Sequence, residues 1–454
     1  MQYRSTRGGS SGRGFTDVLI EGLAPDGSLY VPEWLPELSS LPTEFPQAAA
    51  AVMRPFLEPD PVADDIEAIT TGVYARFRHP DVVPLRSMGA GRHLLELFWG
   101  PTLSFKDYAL QVVGALFDHV LRRRDERILV LGATSGDTGS AAIEACRGRE
   151  GIDVVILYPD GAVSDVQRRQ MTTVPDTNVH AVAVGGTFDD CQNLVKKAFG
   201  AFRDRHPLAA INSINWARIM AQSAYYAFTA GRFGEPVRFV VPTGNFGNVL
   251  SGHLARRMGA PIAGLIVANN SNHGLTDLIT TGTLEVASVK ASLAPAMDIQ
   301  IPSNLERYLF EASGDDPDQI QELQSHLMAT GRIDLSPPIQ ARLKSDFTAA
   351  WRPDADIVET IRHTFEQSGV MLDPHTAVAW SVATERPVEV PTVVVATAHP
   401  AKFPEVVEQA TGQTPHLPDD VAEALAGPER IARLEPDLEA LGRLLDGIRA
   451  EGQS

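Results

Sequence analysis

A chain of 454 residues is longer than one hydrophobic core usually serves, which sets two or three domains as the expectation. Hydrophobic residues at 44% and charged residues at 21% exclude an extensively disordered chain. With 39 basic against 57 acidic residues the net charge is −18, which excludes nucleic acid and anionic membrane surfaces as partners and requires local donors for any bound phosphate.

The first residues, MQYRSTRGGSSGRG, are basic, Ser-rich and free of acid, a superficial likeness to an organelle transit peptide. Residues 1–84 are rich in Pro and acidic side chains, with a short apolar cluster at 28–31 and a predicted helix over 64–77, and read as a small N-terminal domain. Beyond them, short β-branched runs alternate with longer segments of 3.6-residue period, the pattern of βαβ units around mostly parallel sheets. The expected class is therefore α/β, divided into domains at 85–236 and 237–454. Strands are predicted at 128–131, 153–157, 179–184, 237–241, 262–267 and 392–396, each bounded by Gly, Pro or polar residues. A helix is predicted from Phe188, with Thr187 as its cap and an apolar stripe of Phe188, Cys191, Leu194, Val195, Ala198, Phe199 and Phe202. Near the end, Leu434, Leu438, Leu441, Leu445 and Ile448 predict a helix docked by its apolar face. Cys146 and Cys191 lack metal-ligand spacing and give no disulfide framework, which fits a reducing cytoplasm. No apolar run approaches the roughly 18 residues of a membrane span.

Three polar or Gly-rich turns follow strands, where a parallel sheet leaves its ligand crevice. GATSGDTGS at 132–140 runs into an Ala-rich helix and can present N–H groups and hydroxyls to an anion. It matches neither a Walker A loop nor a dinucleotide fingerprint, which weakens ATP and NAD as ligands. PTGNFGN at 242–248 also precedes a helical pattern; it reads either as a phosphate cradle or as a plain connection. ATAHPAKF at 396–403 aims Thr397 from a buried strand end, or is a surface loop with a solvated Lys402. Two anion-cradling turns in an acidic protein point to one or two phosphate groups.

The six lysines are Lys106, Lys196, Lys197, Lys290, Lys344 and Lys402. Lys196 and Lys197 fall on the polar side of the Phe188 helix, and Lys290 and Lys344 lie in polar surroundings, all positions of solvated side chains. Lys106 sits between apolar clusters in LELFWGPTLSFKDYALQVVGALF, where burial would lower its pKa and favour the neutral amine that a Schiff base needs; a structural pair with Asp107 is the alternative.

The motifs GPTLSFKD, GATSGDTGSAA, NSINWAR and VPTGNFGN, in this order, resemble those of the threonine synthases of the long bacterial and fungal type. The resemblance extends to YRSTRG, GLAPDGSLYVP, GTFDDCQNLVK, PAMDIQIPSNLER, DPHTAVA and ATAHPAKF, and so covers most of the chain. It also removes the transit-peptide reading, since the family begins with the STRG segment. It implies the tryptophan-synthase-β type of pyridoxal-phosphate fold (fold type II), with the cofactor between two α/β domains, and conversion of O-phospho-L-homoserine and water to L-threonine and phosphate. Lys106 would carry the cofactor as a Schiff base and move protons along the substrate. Gly244, Asn245, Phe246, Gly247 and Asn248 would bind its phosphate, and Thr397 its pyridine nitrogen. Thr134, Ser135, Asp137 and Thr138 fall in the loop that receives the substrate carboxylate and nears the cofactor hydroxyl. Many related folds carry Asn at the Asp137 position, and a carboxylate there needs a partner or a proton. Ser213, Asn215 and Arg218, with Asn245, match the region that contacts the substrate phosphate. Trp99 and Ser104 depart from residues common in relatives and would shift the polarity of the pocket. The other readings are a different pyridoxal-phosphate lyase of the same fold (an O-phosphohomoserine phospho-lyase or a serine/threonine deaminase) and a non-catalytic cofactor-binding protein. The expected partner is the small-molecule substrate, and the expected state a monomer or homodimer.

Overall fold

In the computed structural model, which describes residues 1–451, fifteen strands fall into two large sheets and two antiparallel pairs. In chain order the strands are β1 (Tyr3–Ser5), β2 (Tyr30–Pro32), β3 (Leu85–Ser87), β4 (Arg92–Glu96), β5 (Ile128–Ala133), β6 (Ile152–Pro159), β7 (Val179–Val184) and β8 (Leu208–Ala209). They continue with β9 (Val237–Pro242), β10 (Ile262–Asn269), β11 (Thr283–Glu285), β12 (Arg332–Asp334), β13 (Phe347–Trp351), β14 (Thr392–Ala396) and β15 (Ala432–Leu434). The larger sheet has the order β13-β10-β9-β14-β4-β3, with β3 alone antiparallel to its neighbour; the smaller, β15-β7-β6-β5-β8, is parallel throughout. This is the α/β architecture with mostly parallel sheets that the alternating pattern predicts. Strands buried on both faces need continuous apolar runs, and TVVVA of β14 is buried at every position.

The chain crosses between the sheets in a way the boundaries at residues 84 and 236 do not follow. β3 and β4 pair into the sheet of β9 and β14, while β15 returns to lie beside β7. The reason is topological: β4 takes its place beside β14 by parallel pairing, a contact across some 300 residues that local pattern does not encode. Six predicted strands are present, with ends moved outward by up to two residues in four of them. The helix Phe188–Phe202 begins in a capping box in which Thr187 and Asp190 serve each other's N–H groups. The predicted helix at 64–77 spans Val62–Tyr74. In the C-terminal helix Leu438–Glu451, Leu441, Leu445 and Ile448 pack with Cys191, Leu194 and Ala198. Leu434, read as part of that helix, instead ends strand β15.

One helix, Trp216–Gly231, is buried at every residue from Trp216 to Ala230. It contacts the helices Phe45–Leu57, Lys106–Arg124 and Gly247–Arg257, so three elements that lead to or support the site share one central strut. No helix among the described residues is long and apolar enough to cross a membrane.

Candidate active site

Parallel strands deliver all their C-terminal loops to one edge, and here five loops from the two sheets meet. β4 leads to Lys106, β5 to 134–138, β8 to 212–215, β9 to 244–248 and β14 to 397–402. The first and last are laced together: Leu97 N donates to Ala396 O at 2.9 Å, Phe105 N to Thr397 O at 2.9 Å and His399 N to Leu103 O at 3.0 Å. Ser104 bridges to Ala398 within this lacing, and its hydroxyl accepts from Lys106 N at 3.4 Å, so it serves the start of the lysine helix. Trp99 points elsewhere, donating to Glu96 and lining a groove with Phe98, His399 and His416.

Two cavities adjoin at Lys106. The inner one, of about 80 Å³, is lined by Lys106, Arg218, Gln222, the turn 243–248, His375 and Thr397, and the outer one, of about 260 Å³, by Ser135, Gln167, Lys196 and Asn212 among others. Lys106, Asp137, Thr138, Ser213 and Asn245 line both.

The inner end is built to hold an anion. The helix Gly247–Arg257 starts there with its free N–H groups and positive dipole end. Phe246 takes the left-handed conformation (φ 64°) that turns the chain into it, while its ring packs on Tyr308 and Phe347. At Gly244 a Cβ would stand 2.4 Å from the Ala296 carbonyl, so only glycine lets the turn sit this close. Asn248 Oδ1 accepts from both Tyr225 and Tyr226 hydroxyls, at 2.6 and 2.8 Å, and its Nδ2 has no partner within the chain. Arg218 is 4% exposed with Nε and Nη1 unpartnered, and burial pushes its pKa down to about 10. A buried guanidinium without a carboxylate calls for an anionic ligand. Opposite, Thr397 is buried, its N–H held by Thr376 Oγ1 at 3.1 Å. His375 Nε2 accepts from Ala296 N, so its proton lies on Nδ1, donated to Asp373.

Asp137 stands at the start of its helix, 5% exposed, with Oδ2 at 3.2 Å from Lys106 Nζ. Its other oxygen meets Lys402 Nζ and Gln167 Nε2, each at 2.8 Å. Burial alone would raise the Asp137 pKa, yet the two lysine charges and these bonds hold it well below the usual carboxylate range. The electrostatic difficulty of a carboxylate at this position is thus met by two cations. Lys402 is not the solvated side chain of a surface loop: it is fully buried, a placement that depends on an acceptor 265 residues earlier in the sequence. Lys106 is pulled below the ordinary lysine range by burial, against Asp137 and with Lys402 and Arg218. Asp107 does not pair with Lys106; it accepts from the N–H and hydroxyl of Thr102, both at 2.8 Å, and burial pushes it up to about 6.

Asn215 is not brought to either cavity with the other candidates. It caps the helix Trp216–Gly231 through Ala217 N, and its amide donates to Leu19 O, so both ends are spent. An Asn before a helix satisfies its free N–H groups, which is the local reason for this residue type. Thr134 also acts on the backbone, accepting from Gly136 N and Gly139 N to shape the loop, while Ser135 and Thr138 are half-buried at the cavity walls. Sequence reasoning missed Lys402, Gln167, His375 and the pair Asn304 and Arg307. Asn304 Nδ2 donates to Ser213 O and Asn245 O, and Arg307 to Ile214 O, binding the β8 and β9 loops together. The motif PSNLER contained both residues, but nothing local signals which backbone they hold.

Comparison with known proteins agrees with this geometry. Residues 94–339 match the model of pyridoxal-phosphate-dependent enzymes, residues 2–74 that of the threonine synthase N terminus and residues 376–444 that of the threonine synthase C-terminal region. The chain is 44% identical to a threonine synthase of Pseudomonas aeruginosa, over 96% of each chain. Its structure resembles the pyridoxal-phosphate-bound threonine synthase of Brucella melitensis (TM-score 0.95, 42% identity, 100% of both chains) and the yeast threonine synthase (TM-score 0.92, 36% identity, 99% of both). Threonine deaminase of Solanum lycopersicum, at 12% identity and TM-score 0.52, shares the fold alone. The anion cradle, the buried amine of Lys106 and the Thr397 hydroxyl opposite fit pyridoxal phosphate, and the chain belongs to the threonine synthase family of pyridoxal-phosphate-dependent enzymes.

Proposed function

We propose that the protein converts O-phospho-L-homoserine and water to L-threonine and inorganic phosphate, with pyridoxal phosphate attached through Lys106. The observation that carries this reading is that the start of the helix Gly247–Arg257 and the unpartnered guanidinium of Arg218, two features suited to anions, meet in one cavity beside a buried amine. One serves the phosphate of the cofactor and the other that of the substrate. When bound, the cofactor supplies covalent capture of the substrate amine and an electron sink for the adjoining carbon. Gly244 to Asn248 hold its phosphate and Thr397 presents a neutral hydroxyl to its ring nitrogen. Ser135 and Thr138 receive the substrate carboxylate from the outer cavity, while Ser213, Asn245 and Arg218 orient the phosphate that leaves Cγ. Lys106 Nζ takes the proton from Cα and returns protons along the chain, which requires it to be neutral near pH 7. Burial of the amine keeps stray water from it until a water adds at Cβ. The cytoplasm is the compartment that suits this reading, since Cys146 and Cys191 are both free thiols.

Pure protein incubated with O-phosphohomoserine is expected to release phosphate and threonine in equal amounts. 2-Oxobutyrate as the main product would replace this reading with that of a phospho-lyase, and absence of turnover would leave a binding protein.

A further inference from the structure

The loop after β14 brings a second lysine to the site, and the roles assigned above give it no task. Lys402 is 0% exposed and donates to Asp137 Oδ1 at 2.8 Å and to Thr102 O at 2.8 Å. Asp137 is therefore shared between two amines, with Lys106 the weaker claimant at 3.2 Å. An uncompensated charge is costly in a buried cluster, so two amines and one carboxylate favour one ammonium, not two. Lys402 has two close acceptors and no open side. Lys106 has a single acceptor and faces both cavities.

We propose that Lys402 is a positioning residue that holds Asp137 as its own counter-ion and so leaves Lys106 Nζ a neutral amine, able to take the cofactor and to move protons. Without Lys402, Asp137 and Lys106 would pair one to one and Lys106 would keep its proton. The inference rests on Lys106 being the attachment site. Other groups around Lys106 work in the same direction or are already engaged. Arg218 adds a buried positive charge that disfavours a second one nearby, Asp107 is turned to Thr102, and His375 is bonded at both nitrogens. Burial, Lys402 and Arg218 together outweigh the pull of Asp137 on Lys106.

The test follows incorporation of pyridoxal phosphate into the full-length, cofactor-stripped chain as a function of pH, by visible absorption, with borohydride reduction and peptide mapping to locate the label. Lys402→Met is expected to move the half-maximal rate up by about one pH unit, or about tenfold slower incorporation at neutral pH. Lys402→Arg, which keeps the cation, is expected to stay on the wild-type profile. Met fills the space of the lysine stem, and Thr102 O keeps its bond from Gln170, so no buried carbonyl is orphaned. The double variant Lys402→Met/Asp137→Asn removes both charges and, because Asp137 pulls on Lys106 more strongly than Lys402 repels it, is expected to undo the shift and bring the half-maximal rate down to or below the wild-type pH, which general damage to packing would not do. A Lys402→Met profile that superimposes on wild type with the label on Lys106, or a double variant that fails to recover, overturns the inference alone. A label on Lys402 overturns it together with the assignment of Lys106.

Discussion

An asparagine can turn either its oxygen or its nitrogen toward a ligand, and at Asn248 two tyrosines make the choice. Burial raises the pKa of Tyr225 and Tyr226 far above 10, so both hydroxyls keep the protons they donate to Oδ1. Nδ2 is thereby fixed toward the inner cavity as a donor. Tyr225→Phe or Tyr226→Phe alone leaves one hydroxyl to hold the amide. The double variant leaves Oδ1 without a donor and lets the amide flip, at a cost of about 1 kcal/mol in cofactor affinity, or about fivefold in Kd. Equilibrium titration with pyridoxal phosphate measures this, and a double variant that binds as tightly as wild type would refute the assignment. Such residues mark the limit of reading a site from sequence. The turn 244–248 was legible because its Gly and Asn residues answer a local demand of backbone shape. Tyr225, Tyr226 and Lys402 were not, because a side chain inside a helix or loop acquires its partner only when the fold brings distant segments together.

Of the helices that begin at the site, Lys106–Arg124 and Asp137–Cys146 have as their first residues the amine and the carboxylate that face each other. Their separation is set further along, where Gly114 meets Ala145. A Cβ on Gly114 would stand 2.3 Å from the Ala145 carbonyl and 3.0 Å from its Cβ, so the helices touch backbone to side-chain stem. Neither atom is the end of a flexible side chain, and accommodation requires the helices to part. Gly114→Ala is expected to cost about 1–3 kcal/mol, seen as a lower urea midpoint with unchanged slope, despite the better helix propensity of alanine. If the variant is as stable as wild type, the close contact does not set the spacing. The glycine itself gave no signal in the sequence, since a helical Gly at a crossing looks like any other. The periodicity around it was plain, which is why the strands and helices could be read while their contacts could not.

At the scale of the whole molecule, residues 1–84 read as a small domain from composition, yet their side chains belong to the main core. Tyr3 and Phe56 pack on Trp216 with ring centroids 6.1 and 5.8 Å away, and Phe45 lies 5.4 Å from Phe228 and 6.2 Å from Tyr108. Arg307, which holds the β8 loop at the site, also donates to Tyr30 O at 2.9 Å. Composition shifts reveal where a chain changes character, not whether the new segment keeps a core of its own. Removing residues 1–84 would uncover Trp216, Phe228 and Tyr108, each worth about 1.5–3 kcal/mol of burial, out of a net stability of about 5–15 kcal/mol. The chain 85–454 is therefore expected to be insoluble or to bind no pyridoxal phosphate, and the full chain to lose its tryptophan fluorescence signal and its cofactor absorption in one coincident transition. Two separate transitions, or a truncated chain that binds the cofactor with wild-type affinity, would show that the N-terminal segment is an independent unit. A single transition would mean that the strut Trp216–Gly231, covered by the N-terminal segment on one side and bearing Arg218 and the two tyrosines on the other, couples the first residues of the chain to the phosphate end of the site.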